Sequence, residues 1–219
     1  MGCSRYIANS IGSPNINFGS DSILTNIFSG GGTVCFWARP TASSGYYFEK
    51  NNGWNFSYTV TGTDRVFFVQ EFSGTNYFDQ ADVSLTNVWG YFSFVYDSSS
   101  TSNRVLLYYN GNLLTNSLQT APTGSSSSDS GNDLIFVNNA SLNDNALGYF
   151  CYPQIWDRQL SQSEIVETMH KPGSVRENLI GFWSCIGDSP ERDLSGNGNN
   201  GTVTFTNVRT DDGPPIRSF

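Results

Sequence analysis

The sequence predicts an all-β chain, a two-sheet antiparallel sandwich with one short helix near its C-terminal end. Three observations predict it. Runs rich in β-branched and aromatic residues recur along the chain with turn residues between them. Aromatic residues make up 15% of the 219 residues, Gly occurs 22 times, and charged residues reach only 14%. The stretch Ile155–Ile165 ends an aromatic strand at Trp156 and then sets Ser161 and Glu164 at capping-box spacing, each placed to satisfy a free backbone N–H of a new helix. Lys171-Pro172-Gly173 stops that helix after about two turns.

The strand-like runs, in order, are Ile16–Phe18, Val34–Arg39, Tyr46–Lys50, Trp54–Val60, Arg65–Phe72, Trp89–Tyr96, Val105–Tyr109, Leu113–Leu118, Leu134–Val137 and Tyr149–Trp156. Asn110-Gly111 fits a type I′ hairpin, because both central residues of that turn take positive φ. Asp79 and Asp82 fall in a loop-like stretch. Thr120–Asn132, with four consecutive Ser, reads as a flexible, solvated connection; a partner-contacting arm is the alternative. Gly30-Gly31-Gly32 precedes a strand and reads as a turn, not a phosphate cradle. Trp37, Phe94 and Trp156 each sit on an alternating strand and are expected between the two sheets.

Several segments, taken in order, resemble the laminin-G-like, concanavalin-like jelly rolls. Ile16-Asn17-Phe18-Gly19 is similar to their opening strand and Thr33–Pro40 to an early "f-T-i-s-f-W-v-k-P" strand. Trp89–Asp97 matches "W-x-h-x-a-x-v-y-D", Leu107–Gly111 matches "l-Y-v-N-G", and "W-D-R-x-L-S-x-x-E-I" is the closing corner. A second signature, Leu179–Trp183 followed by Asp193–Thr202, resembles a segment that in this superfamily usually precedes the opening strand. Here it follows the closing helix, as in a circular permutation. The resemblance implies a jelly roll over residues 1–172 and a C-terminal segment over 173–219. Residues 173–208 are expected to complete the sandwich of their own chain, with Ile180–Ser184 beside the opening strand. Residues 209–219, with Gly213-Pro214-Pro215, are expected to form an extended tail. The alternative is that residues 173–219 reach onto a neighbouring subunit.

The net charge is −8. With no cluster of Lys or Arg, it argues against nucleic acid and anionic membranes as partners. No apolar run approaches the ~18 residues of a membrane-spanning helix. Met1–Tyr6 is followed by no apolar stretch of signal-peptide type, and Tyr6 stands where a myristoylation motif wants Ser or Thr. Of the four cysteines, Cys35 and Cys151 read as small buried hydrophobes on strands. A disulfide between two strands and metal ligation stand as alternatives; the four, Cys3, Cys35, Cys151 and Cys185, lie far apart, with no C-x-x-C pair and no zinc spacing.

The chemistry-bearing residues are few. The glucanases of the resembling fold carry two carboxylates alternating on one strand, as E-x-D-x-E or E-x-D-x-x-E. This chain has neither pattern. Glu164 and Glu167 lie on the closing helix, where solvation is expected, and the single histidine, His170, is placed to meet the helix dipole. Enzymatic activity is therefore not expected. Asp193, Ser195, Asn197 and Asn199 put oxygen-bearing side chains at alternate positions with Gly198 at the sixth, as an EF-hand loop begins, so calcium is the cofactor that loop would take. Thr204 stands where the bidentate Glu belongs, and the same residues are what a tight turn selects. The resemblance adds Asp97 and Asp144 as rim-loop ligands. Trp54, Tyr58, Tyr77, Phe78 and Tyr47, near loop ends, are candidates to stack on sugar rings, although core packing is the expectation for any single one of them.

The expected function is non-enzymatic: a surface-display or decoration module, foremost on a bacteriophage virion, acting by protein–protein packing and glycan adhesion. Its partners would be capsid proteins, further copies of itself and cell-surface glycans. The virion setting rests on the resemblance of the C-terminal segment and on the missing secretory address. A secreted, calcium-dependent lectin-like module is the alternative, and a glycoside hydrolase the third reading.

Overall fold

The computed structural model describes residues 5–7, 13–41, 44–85, 87–185, 189–204 and 213–216. Two antiparallel sheets face each other. The first runs β1 (Arg5–Ile7), β13 (Gly148–Trp156), β3 (Gly32–Pro40), β8 (Gly90–Tyr96), β9 (Leu106–Tyr109), β10 (Asn112–Leu113), and β14 (Leu179–Phe182) also pairs with β13. The second runs β11 (Asn116–Thr120), β7 (Tyr77–Asp82), β6 (Arg65–Gln70), β5 (Trp54–Thr59), β4 (Ser44–Lys50), β12 (Leu134–Phe136), β2 (Asn15–Asn17), β15 (Thr202–Thr204). One α-helix, α1 (Gln162–His170), is present among the described residues. The all-β sandwich with a single short helix is as the sequence predicts.

Strand alternation builds the core. On β5, Trp54, Phe56 and Tyr58 point inward and are buried, while Asn55, Ser57 and Thr59 point out. On the inner face of the first sheet Phe36 stacks on its cross-strand neighbour Phe92 with ring centroids 5.3 Å apart, and Phe56 of the second sheet reaches across to stack on Phe94 at 4.6 Å. Each such side chain gains about 1.5–3 kcal/mol on leaving water.

The first sheet is covered on its outer face as well, by α1 and the chain around it. This is why β3 and β8 read as near-continuous apolar runs: both of their faces are buried. Trp37 and Trp156 belong to this outer layer, unlike Phe94. The Trp37 indole donates to the carbonyl of Met169 at 3.2 Å and that of Trp156 to the carbonyl of Val175 at 3.0 Å. Their burial is as expected, but their place is not: they lie under the helix, not between the sheets. A bulge between Cys151 and Gln154 in β13 sets the Gln154 amide beneath the helix end, where it accepts from Thr168 at 2.9 Å and from Gly173 N–H at 2.6 Å. The capping box forms: Ser161 Oγ accepts from Glu164 N–H and Glu164 Oε2 from Ser161 N–H.

Asn110 and Gly111 both take positive φ, 51° and 76°, and close the β9–β10 hairpin as the sequence predicts. Tyr77–Asp82, read from sequence as loop, is strand β7 in the middle of the second sheet's free half. The Ser-rich stretch is tied down rather than loose. Ser73 N–H donates to Ser125 O and Ser127 N–H to Glu71 O, both at 2.9 Å, and the buried Asp129 carboxylate lies 3.7 Å from Lys50 Nζ. Cys35, Cys151 and Cys185 are all buried, and Cys3 lies outside the described residues.

The C-terminal segment returns to its own chain, but by a different pairing. β14 lies against β13, continuing the edge that β1 begins, and it is β15 that lies beside the opening strand, with Val203 opposite Ile16. The tail expected over 209–219 lies outside the described residues except for 213–216.

Candidate functional site

Of the five aromatic candidates for sugar stacking, Phe78 is half-buried on the outer face of the second sheet, and Trp54, Tyr58, Tyr77 and Tyr47 offer no ring face. Trp54 packs edge-on to Phe28, Tyr58 stacks on Tyr47 at 4.6 Å, and Tyr77 stacks on Tyr96 at 4.9 Å; none is more than 2% exposed. The cause is strand parity: Trp54 and Tyr58 share the inward face with Phe56, and Tyr77 lies opposite Gln70 on the same inner row as Trp54.

The Asp193 loop is built as a turn, and its donor set does not fit a calcium ion. Asp193 Oδ1 accepts from Phe182 N–H at 3.1 Å and Ser195 N–H at 2.8 Å, and Oδ2 accepts from Asn199 N–H at 3.0 Å. The amides of Asn197 and Asn199 donate to the carbonyl of Ile180. Asp193 itself is buried. Asn197 and Asn199 thus turn N–H groups toward the β14 backbone, and the only carboxylate is spent on backbone donors. No group of three or more His, Cys, Asp or Glu placed to hold a metal occurs among the described residues. Asp97 and Asp144 stand in separate loops: Asp97 caps a turn by accepting from Ser99 N–H at 2.9 Å, and the Asp144 carbonyl accepts from Tyr46 N–H at 3.2 Å.

Glu164 is not simply solvated. Arg158 Nη2 lies 2.6 Å from Glu164 Oε1, and Ser161 holds the other oxygen. The Arg158 hydrogen bond, aided by Ser161, pulls its pKa down to about 2. Glu167 is exposed on the same helix, as the sequence implies.

The side chains best arranged to hold a ligand lie instead on the outer face of the second sheet. One row crosses it from edge to edge: Thr202, Asn17, Ile135, Glu49, Asn55, Val69, Phe78 and Thr120 stand directly opposite one another in turn. At the β2–β12 end of the row is a cleft of about 310 Å³, walled by Asn17, Asn51, Asn132 and Asp133 over Ile135 and Leu142. Asn17 Nδ2 donates to Asp133 Oδ2 at 2.7 Å, fixing both side chains, and Gly19 N–H holds the other end of the Asn17 amide at 2.7 Å. Beside it, Glu49 Oε2 accepts from Ala140 N–H at 2.6 Å, which pins the 139–142 loop over the row; burial raises the Glu49 pKa. Amides and a carboxylate provide fixed donors and acceptors, and the aliphatic floor suits C–H groups.

Toward the other end of the same face, Phe67, Val69, Phe78 and Leu118 make an apolar strip. The Phe67 and Phe78 rings are 6.0 Å apart, both half-buried, and Leu118 is 54% exposed. The cleft was not singled out from the sequence, and of the strip only Phe78 was, as a sugar-stacking candidate. The outward parity of Phe67 and Phe78 was the available signal for the strip. Nothing local marks the cleft, since Asn17 and Asp133 lie 116 residues apart in the sequence.

Comparison with known proteins places this architecture. No curated protein matches the chain. Among solved structures it is similar to a Bacteroides ovatus protein whose carbohydrate binding is itself an assignment, with TM-score 0.68 and 14% identity, over 99% of this chain and 62% of that one. The present chain therefore spans less than two thirds of that protein. It is also similar to a native heptameric SAP-like pentraxin from Limulus polyphemus, with TM-score 0.61 and 16% identity, over 92% of this chain and 94% of that one. At these identities the likeness is one of fold. The model of the Concanavalin A-like lectin/glucanases superfamily matches residues 12–166, and with more than half its length so matched this chain belongs to that superfamily.

Proposed function

We propose that this chain is a non-enzymatic glycan-binding module whose ligand sits in the cleft of Asn17, Asn51, Asn132 and Asp133. The observation that carries the reading is the cleft itself, with fixed amide and carboxylate groups over an aliphatic floor. A sugar offers the complement, with hydroxyls that both donate and accept and an apolar C–H face. The carbohydrate-binding assignment of the Bacteroides ovatus protein supports the same reading. Binding to a glycan array, followed by calorimetry on the best ligand, tests it. Asp133→Ala is expected to weaken that ligand at least tenfold with an unchanged melting temperature. Undiminished affinity in the variant would remove the ligand from this cleft.

The second reading, a display module packed on a virion or on copies of itself, is favoured by the apolar strip of Phe67, Val69, Phe78 and Leu118 on the outer face of the second sheet. The heptamer formed by the Limulus pentraxin lends support to self-association. Under this reading the chain decorates a particle surface by protein–protein packing. Sedimentation of the wild type and Phe67→Asp tests it: a wild-type oligomer that the substitution dissociates is the expected result, and a monomer in both cases counts against it. Calcium enters neither reading at the Asp193 loop.

A further inference from the structure

We propose a second saccharide subsite at one end of the sandwich, in a hydroxyl-lined groove where the indole N–H of Trp54 and the side-chain carbonyl of Gln70 together receive one sugar hydroxyl. The groove, of about 400 Å³, runs between the Ser98–Thr101 turn and the Gly124–Ser126 segment, against Phe72. Beneath it lies a pocket of about 10 Å³ that shares Ser98 and Ser126 with the groove and is lined further by Trp54, Gln70 and Asp129. The cleft of the proposed function has no lining residue in common with either. This inference therefore stands independently of that reading.

Two polar atoms belonging to residues that line the pocket set the chemistry. Trp54 Nε1 and Gln70 Oε1 are buried and find no hydrogen-bond partner in the protein. Trp54 is 2% exposed and Gln70 4%. Trp54 stands out from the other buried tryptophans: Trp37, Trp156 and Trp183 each donate to a backbone carbonyl, of Met169, Val175 and Asn199 respectively. The orientation of the Gln70 amide is set by its own donor, which reaches Glu71 O at 3.4 Å, so the oxygen is the atom left over. A buried donor or acceptor without a partner costs about 1–3 kcal/mol, which is a reason to expect an occupant. One donor and one acceptor around a space of roughly one water's size are the complement of a single hydroxyl, which accepts with its oxygen and donates its proton. Solvent meets that need in the free protein, and a ligand hydroxyl replaces it on binding.

The rest of the groove narrows the ligand class. Its lining is short hydroxyl side chains with no charged group. Asp129, in the pocket below, is committed to Asn26 N–H at 2.8 Å and to Lys50 at 3.7 Å. A neutral sugar fits such a wall better than a uronic acid or an amine. The ring is too wide for the lower pocket, so the group that enters is the one with most reach, the exocyclic hydroxymethyl of a hexopyranose.

The test is titration of indole-¹⁵N-labelled full chain with the methyl glycosides of glucose, galactose and mannose, and with their 6-deoxy counterparts. The Trp54 signal is assigned by its loss in Trp54→Phe. At least one hexopyranoside is expected to shift the Trp54 indole resonance, while its 6-deoxy form does not. Ser99→Tyr, which fills the groove from an exposed position, is expected to abolish that shift with an unchanged melting temperature, and Asp133→Ala to leave it intact. A Trp54 resonance that none of these sugars moves overturns the subsite, whether or not the Asp133 cleft binds. So does an equal response to the 6-deoxy sugars, or a shift that Asp133→Ala removes. If Asp133→Ala weakens glycan binding while Trp54 stays unmoved, the cleft survives and this subsite alone fails.

Discussion

Phe18 and Trp183 stack face to face, with ring centroids 3.8 Å apart and planes 20° from parallel. Phe18 follows the opening strand β2, and Trp183 follows β14 far along the chain. The Trp183 indole donates to Asn199 O at 2.7 Å, and β15 then pairs with β2, so the two ends of the sequence form one packed unit. Gly181 makes room for it: a Cβ there would collide with the Trp183 ring. The C-terminal segment thus packs against the start of the sandwich through both a ring stack and a strand pairing.

Replacing Trp183 with Ala is therefore expected to cost about 3–5 kcal/mol, because a fully buried indole leaves a cavity that the stacked Phe18 cannot fill. Truncation after Lys171 removes β14 and β15 together. It uncovers part of the β13 edge and the β2 edge, and unpaired edges recruit other chains. Urea denaturation of the variant and light scattering of the truncated chain check this. A truncated chain as soluble and heat-stable as the full one would show that the segment is not part of this chain's sandwich.

Asp79 gives a second expectation. It is fully buried on β7, accepts from Tyr77 Oη and Asn116 Nδ2, both at 2.7 Å, and its Oδ1 has no partner. Burial raises its pKa, and the Tyr77 hydrogen bond only partly offsets this. With the folded value above the unfolded one, the contribution to stability is fully present below the ordinary pKa of 3.8 and is lost as pH rises through the raised folded value. Each tenfold rise in proton affinity on folding corresponds to about 1.4 kcal/mol lost by neutral pH. Asp79→Asn removes that titration. The stability of the wild type relative to Asp79→Asn should fall between pH 3.5 and pH 7 in paired denaturation curves (bounds chosen at about the ordinary carboxylate range and neutrality), and a constant difference would count against a raised pKa.

Asp79 also shows where the sequence stopped being legible. Tyr77–Asp82 carries Asp, Gln and Ala where a strand is expected to carry β-branched residues, so propensity argued for a loop. What makes it a strand is its place between β6 and β11, with Asn116 arriving from 37 residues away to satisfy Asp79. The closing corner was readable because its signals are local: Ser161 and Glu164 bond across three residues. Trp54 packs in the core, the reading that parity favours, since Phe56 and Tyr58 continue its alternation inward. Trp37 and Trp156 were recognised as buried but placed in the wrong layer, between the sheets, because a strand covered on both faces loses the alternation that says which way a side chain points. The cleft of Asn17 and Asp133 was beyond reach, for it exists only once β12 has paired with both β2 and β4.

Glu164 behaves oppositely to Asp79. Its folded pKa is depressed to about 2, chiefly by the hydrogen bond from Arg158. Its contribution is therefore present above the ordinary value of 4.5 and is lost as pH falls through about 2. The pair is partly solvent-exposed, so the effect is modest: Glu164→Gln is expected to cost about 0.2–1 kcal/mol at neutral pH, with the difference from wild type vanishing in strong acid. A carboxylate held ionised in this way cannot serve as a proton donor at neutral pH. Incubation with β-glucans, chitin or alginate is expected to release no reducing ends. Turnover that Glu164→Gln or Glu167→Gln abolished would contradict both this assignment and the non-enzymatic reading.

The Asp193 loop separates a turn from a calcium site by a single pair of measurements. If its work is to hold three backbone N–H groups, of Phe182, Ser195 and Asn199, then Asp193→Ala leaves three donors unsatisfied at the base of β14. Hydrogen bonds to a charged acceptor contribute about 1.5–3 kcal/mol each, and the loss of several is not fully additive, so a total of roughly 3–5 kcal/mol is expected. Asp193→Asn keeps one oxygen acceptor and should lose about half as much. A turn owes nothing to calcium, so the melting temperature of the wild type should be the same with millimolar calcium or with a chelator, whereas a ligand bound only by the folded state raises it by mass action. A rise with calcium that Asp193→Ala removes would show that the loop opens its carboxylate to the ion, and that the bonds to Phe182, Ser195 and Asn199 are exchanged for it.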